Sequence, residues 1–349
     1  GAGDWNDGMN RLGTRGHGES VWLGMFLVDV LGRFAPLATA RGDAIAGRDL
    51  VASAAELETM LQRHTWDGGW YLRAWNDDGV AIGSIASEEC RIDSLPQSWS
   101  VLAGLSDRGR AERALDAVLA QLVDPDAEIV KLFTPPFDTT PLDPGYIKGY
   151  VPGVRENGGQ YTHAAVWVAM ALAQLGRTGD AWRVARMLNP IRHSRDVDAA
   201  RRYRLEPYAI AADVYAAEAH VGRGGWSWYT GSAGWMYRLL TESLLGLHRE
   251  GARLRIEPRV PDDWTRWSVD WRHGDARYHI EFVRHPGDPG VADISVDGVL
   301  QPGHAIEIVD DGCLHEVLVR FGPVPRAMHA SRGAEGARVV PEDVSGRAH

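Results

Sequence analysis

The feature that most constrains this chain is a change of period near residue 250. Before it, apolar residues recur at helical spacing; after it, apolar and polar residues alternate. No single packed element satisfies both periods, so the chain must divide into a helical part and a sheet part. Helical runs are expected at 19–35, 50–66, 110–123, 161–176, 180–191, 206–217 and 232–249, and Pro36 is expected to stop the first. Alternating runs at 253–260, 267–273, 276–285, 292–300, 304–311 and 315–322 predict an antiparallel β-sandwich. The expected division is a helical domain over 1–249, a β-domain over 250–327 and a disordered, apolar-poor tail over 328–349. Long Gly-, Pro- and Trp-rich loops, such as 133–159, separate the helices, and loops of that length are where function concentrates.

Composition narrows the function. A net charge of −10 over 349 residues argues against a nucleic-acid groove, which needs a basic stripe. No apolar run reads as long enough to cross a bilayer, and the N-terminus has no signal-peptide pattern. Cys90 and Cys313 form no CxxC pair, so neither a zinc site nor a disulfide framework is expected. That usage fits a reducing compartment, so a cytoplasmic location is expected. The opening Gly1-Ala2-Gly3 reads as a fragment, whose parent can still be anchored in the inner membrane by a preceding region. The 14 Trp are many for this length. Most are expected to pack in the core, but a flat indole face also suits the apolar face of a sugar ring.

Three stretches could carry chemistry. The tetrad Asp4-Trp5-Asn6-Asp7, followed by Gly8, reads on composition alone as a polar turn. Its Trp is a poor turn residue, however, and an Asp desolvated beside an indole can stay protonated as a general acid. In Arg155 to His163, a Gly pair precedes a helix expected to start near Thr162 as N-cap. His163 then lies in the first turn, where a helix attracts anions; the alternative is an ordinary surface histidine. In Gly222 to Trp235, Thr230, Gly231 and Ser232 sit at another helix start and form a second anion cradle. There is no P-loop lysine, and tight helix packing would explain the small residues but not Trp226, Trp228 and Tyr229. Glu206-Pro207-Tyr208 is expected to open a helix and is uninformative alone. One acid, two anion cradles and no evident second carboxylate point away from hydrolysis, which normally uses a carboxylate pair. A phosphate ion attacking the anomeric carbon would replace the second carboxylate.

The blocks GDWNDGMN with GESVWLGMFL, VPGVRENGGQYTHAAVW, EPYAIAADVY and GRGGWSWYTGSAGWMYR together resemble the inverting phosphorylases of glycoside hydrolase family 94. The resemblance covers residue 1 to about 325, and its wording is most similar to the C-terminal phosphorylase-like region of cyclic β-1,2-glucan synthases, with 1,2-β-oligoglucan phosphorylases close by. It implies a mainly α protein with a β-domain: part of an (α/α)6 barrel followed by a β-sandwich. It implies Asp7 as general acid, His163, Thr230 and Gly231 as phosphate ligands, and Trp5, Glu156 and Tyr208 as sugar-binding residues. No metal or organic cofactor is implied, since inorganic phosphate is a co-substrate. The implied partners are a β-glucan oligosaccharide, phosphate and the missing N-terminal part of the same polypeptide; a homo-oligomer stays open. The family carries further Arg residues ahead of the acid block, so this stretch is expected to hold half a site, with doubtful activity alone. Two rivals remain: a hydrolase on the same barrel, and a non-catalytic glucan-binding module that controls chain length.

Overall fold

The computed structural model describes residues 4–286 and 290–322. The tail expected to be disordered, 328–349, lies outside the described residues. Side-chain caps start many of the helices. Ser20 accepts from the Leu23 amide to begin α1 (Val21–Ala40), and Asp43 accepts from Ala46 to begin α2 (Ala44–His64). Asp93 begins α3 (Ser94–Leu102) and Asp107 begins α4 (Arg108–Gln121). Next come α5 (Thr162–Gln174), α6 (Thr178–Met187), α7 (Pro190–His193), α8 (Val197–Tyr203) and α9 (Thr230–Arg238). A π-helical turn, Leu239–Leu244, follows α9.

Several elements differ from expectation. Pro36 lies inside α1 rather than ending it. An interior proline removes one backbone bond and crowds the preceding turn, at a cost of ~3 kcal/mol. Packing of α2 along α1 offsets this. Gly47 of α2 sits so close that a Cβ there would lie 2.2 Å from Thr39 Oγ1, in the last turn of α1. Helix α1 is also 20 residues long and apolar enough, with a mean hydropathy of 1.5 over its most apolar 18-residue window, to suit a membrane span by length and composition, contrary to the sequence expectation. It packs on α2 and α3, burying Trp22, Met25 and Val28 there, and it carries an Asp29–Arg33 ion pair at 2.7 Å.

Helix α3 is missed by periodicity because it is polar yet buried. Gln97 accepts from the Tyr71 amide and donates to its carbonyl, so its buried amide is satisfied. The expected helix at 206–217 does not form. Asp213–Val214 instead pairs with Gln160–Tyr161, and Val214 bridges to Gly224. The Thr162 amide donates to Ala212 and the Ala212 amide to Trp226. Tertiary pairing overrides the helical spacing, and its consequence is to set the starts of α5 and α9 side by side. Helix α5 is buried nearly all round and packs on α3, α6 and α9.

After α9 the chain forms two facing sheets. One has strands Leu247–Glu250, Arg253–Ile256 and Ala305–Glu307. The other runs in the order Arg266–His273, Ala276–Arg284, Leu314–Phe321, Val291–Val296, Val299–Leu300. Leu254, Ile256, Ile280, Phe282 and Val319 fill the space between them. The sandwich is mixed rather than purely antiparallel, because Ala276–Arg284 and Leu314–Phe321 pair in parallel. The chain reaches the far edge of the sheet and passes through the opposite sheet before it returns. Trp182 of α6 joins the two parts, donating to the Arg259 carbonyl at 2.8 Å and packing on Trp264.

Candidate functional site

The two aspartates of the opening tetrad have separate fates. Asp4 is pinned by the buried Arg73 guanidinium, by the Ser20 hydroxyl and by the Asn6 amide. Arg73 also donates to Asp93 at 3.0 Å. One guanidinium thus binds Asp4 to the residues that cap α1 and α3. Burial pushes the Asp4 carboxyl up, but the Arg73 charge together with the hydrogen bonds from Arg73, Ser20 and Asn6 outweighs it and leaves the group below its ordinary value. Burial dominates at Asp93, which is pushed up to about 6 despite Arg73.

Asp7 opens a short 3-10 turn, Asp7–Met9, and points to solvent. The desolvated acid expected beside an indole is therefore not found at Asp7. Gly8 permits close packing against Ile147, where a Cβ would meet Ile147 Cβ at 2.7 Å, and this brings in Tyr146. The Tyr146 phenol is raised above its ordinary value, first by partial burial and then by the charge of Asp7, with Tyr150 and Glu156 adding to it. Asp7 and Glu156 therefore act on the same phenol.

Trp5 joins this turn to α5. Its ring meets Tyr161 at 5.2 Å, His163 at 5.5 Å and Trp167 at 5.8 Å. His163 lies in the first turn of α5, 4.3 Å from Trp167 and stacked at 5.7 Å on Trp235 of α9. Burial among these rings lowers its pKa to about 4, so the imidazole is neutral at pH 7. Its Nε2 is buried and makes no hydrogen bond within the protein. The N-cap of α5 is Tyr161 rather than Thr162, whose hydroxyl accepts from Gln160. Neither α5 nor α9 has a side-chain cap, so both helix starts keep backbone donors that no capping side chain satisfies. Thr230 is the first residue of α9, Gly231 follows, and the Ser232 hydroxyl is buried without a partner. Tyr229, just ahead of Thr230, hydrogen-bonds Tyr161.

The sequence reading missed three members of this cluster. Arg155, in the left-handed region at φ 52°, lies over the rings of Tyr150 and Trp226 and 3.4 Å from Glu156. Asp213 accepts from the Trp226 amide at 3.0 Å. Burial raises its carboxyl to about 6, with Arg155 opposing and Glu156 adding. Tyr146 is the third. Only Arg155 had a usable signal, as the lone cation in its Gly-rich block; Asp213 was hidden inside a false helix. Glu156 Oε2 and Asp213 Oδ2 are buried and make no hydrogen bond. Tyr208 lies apart from the other sequence-derived residues, edge-on to Trp228 at 5.9 Å. Among the described residues, no group of His, Cys, Asp and Glu could hold a metal ion.

The α-rich part thus sets two uncapped helix starts, a neutral histidine and an exposed carboxylate near one another. Residues 1–246 match the Glycosyl hydrolase 94 superfamily, catalytic domain, and the chain belongs to that family. It is 51% identical over 296 residues to the cyclic beta-(1,2)-glucan synthase NdvB of Rhizobium meliloti (strain 1021), covering 83% of this chain and 10% of that protein. It is 32% identical to the solabiose phosphorylase of Paenibacillus borealis, covering 91% of this chain and 41% of the relative. It is 31% identical to the N,N'-diacetylchitobiose phosphorylase of Vibrio proteolyticus, covering 84% and 36%. The chain thus spans a tenth to about two fifths of these relatives. A solved sialidase superposes with a TM-score of 0.52 at 12% identity, over 72% of this chain and 22% of that one, a likeness of fold alone. These relatives are named as glycosyl-transferring enzymes, phosphorylases and a synthase.

Proposed function

We propose that this chain supplies the acid and the phosphate cradle of an inverting glycoside phosphorylase that cleaves β-1,2-glucan, within a longer polypeptide. The observation that carries the proposal is the packing of Trp5 on His163, which joins the Asp7 turn to the start of α5. Asp7 donates its proton to the glycosidic oxygen as the bond to the anomeric carbon breaks. Phosphate, held by His163 Nε2, the Thr230 hydroxyl and the Gly231 amide, attacks that carbon from the opposite face. The products are α-glucose 1-phosphate and a glucan shortened by one unit, and the phosphate proton restores Asp7. Trp5 and Glu156 contact the glucosyl unit, and Tyr208 the chain beyond it. The reaction needs no metal or organic cofactor. In this reading the helices are the C-terminal portion of an (α/α)6 barrel. The exposed outward face of α1, with Leu23, Phe26, Leu27, Phe34 and Leu37, fits the open edge of such a barrel.

Electrostatics bear on activity. Around the cradle, Arg155 faces two carboxylates, Glu156 and Asp213, Asp7 lies by Tyr146, and His163 is neutral. A phosphate dianion needs more positive charge than this, so the preceding part of the polypeptide must add cations. The test is to supply the full-length parent with β-1,2-glucan, with and without phosphate, and to measure glucose 1-phosphate. Phosphate-dependent release is expected. Free glucose formed without phosphate would favour a hydrolase, for which Glu156 or Asp213 would be the second carboxylate. Glucan binding with neither product would leave a non-catalytic module.

A further inference from the structure

The loop before α9 holds Trp228, an aromatic side chain beside Tyr208 that has no part in the reaction above. Trp228 has φ 61°, a left-handed conformation that bulky residues avoid unless their surroundings impose it. It is 68% exposed, where most large apolar side chains would be buried. Its indole N–H donates to Glu206 Oε1 at 3.2 Å, and its edge meets the ring of Tyr208, which is 76% exposed. The neighbouring Trp226 differs, because the Arg155 guanidinium covers its ring. Glu206 is held below the ordinary carboxylate range by its own backbone amide, by the Ser227 hydroxyl and by Trp228, so it stays ionised. Its Oε2 is buried and makes no hydrogen bond within the protein.

We propose that Trp228, Tyr208 and Glu206 form an outer subsite that stacks a glucosyl ring of the glucan chain away from the bond being cleaved. The chemistry matches a neutral pyranose. The axial C–H face of a sugar packs on an indole, and its hydroxyls donate to a nearby carboxylate. Thr230 follows Trp228 by two residues, so the subsite continues the proposed site outward. Its role is preference for chain length: a disaccharide ends before it, and a longer oligosaccharide reaches it. The strained backbone and the Glu206 bond hold the indole ready, so stacking does not first require the loop to order.

This inference rests on the phosphorylase reading for its substrate. The test uses the full-length parent and compares phosphorolysis of a β-1,2-linked pentasaccharide with that of the disaccharide. Trp228→Ala is expected to lower the pentasaccharide-to-disaccharide ratio of kcat/KM about tenfold, as the loss of one apolar stacking face predicts. Trp228→Phe, which keeps a flat face, should retain most of the ratio. Tyr208→Ala should lower it by a smaller factor. A ratio unchanged in Trp228→Ala overturns the subsite, whatever happens to the absolute rates, because a purely structural role lowers both equally. If the wild type releases no glucose 1-phosphate, the phosphorylase reading fails, and calorimetric binding of the pentasaccharide then decides the subsite. Tighter binding by wild type than by Trp228→Ala supports it, and equal affinities overturn it.

Discussion

Two clusters in this molecule each gather carboxylates around one arginine, and they are built differently. Around Arg73, both Asp4 and Asp93 receive guanidinium bonds, and Asp93 and Ser20 spend their remaining capacity capping helices. Around Arg155, Asp213 Oδ2 and the nearby His163 Nε2 are buried and make no hydrogen bond, and Glu156 Oε2 has only the Arg155 Nε contact at 3.4 Å. A satisfied buried network fixes a fold, whereas unpaired buried groups are held at a cost and point to a ligand. By this contrast the first cluster is scaffold and the second is site, although a single tetrad supplies residues to both.

The largest expected effect breaks the contrast at Asp7. Asp7→Asn in the full-length parent should lower kcat for glucose 1-phosphate release by roughly 10²–10⁴-fold, the usual worth of a general acid. Because Asp7 is exposed, the midpoint of urea unfolding should barely move. Arg73→Met should do the opposite at the scaffold. It strands two buried carboxylates and should cost about 3–5 kcal/mol in urea unfolding. His163→Ala should raise the KM for phosphate by about tenfold, with the KM for glucan nearly unchanged, because one charge-assisted hydrogen bond is lost.

The smallest effect sharpens the contrast through pH. Asp213 is raised to about 6 by burial, above its unfolded value. The folded state therefore takes up its proton first, and this group's contribution to stability improves as pH falls through about 6 toward 4. Asp213→Asn should accordingly stabilise the protein by about 1–2 kcal/mol at pH 8 and by almost nothing near pH 4, read from unfolding midpoints across pH. Asp4 has the reverse sign. Its lowered value adds stability above the unfolded range that is lost as pH falls through the folded pKa.

The change of period at residue 250 made the division between helices and sheets legible, because a sheet face and a helix stripe demand different spacings. The Gly- and aromatic-rich blocks before α5 and α9 stood out in the sequence, and the structure sets those two helix starts side by side. Helix α3 was not legible, since Ser94, Gln97, Ser98 and Ser100 are polar yet buried: Ser98 and Ser100 bond carbonyls of their own helix, and Gln97 bonds Tyr71, distant in sequence. The stretch 206–217 looked helical because Ala209, Ala211 and Ala212 have high helix propensity, yet strand pairing with Gln160 and Tyr161 prevailed. The parallel pair in the sandwich was invisible for a similar reason: alternation fixes which face is buried, not the direction of the neighbour.

The central claim is that Asp7 protonates the departing oxygen, and leaving-group dependence tests it most directly. The full-length parent and its Asp7→Asn variant are compared on β-1,2-glucan and on 2,4-dinitrophenyl β-glucoside, with phosphate present. The dinitrophenolate leaves without a proton, so the account predicts that the variant loses roughly 10²-fold or more on glucan and less than about tenfold on the aryl glucoside. An equal loss on both substrates would contradict it.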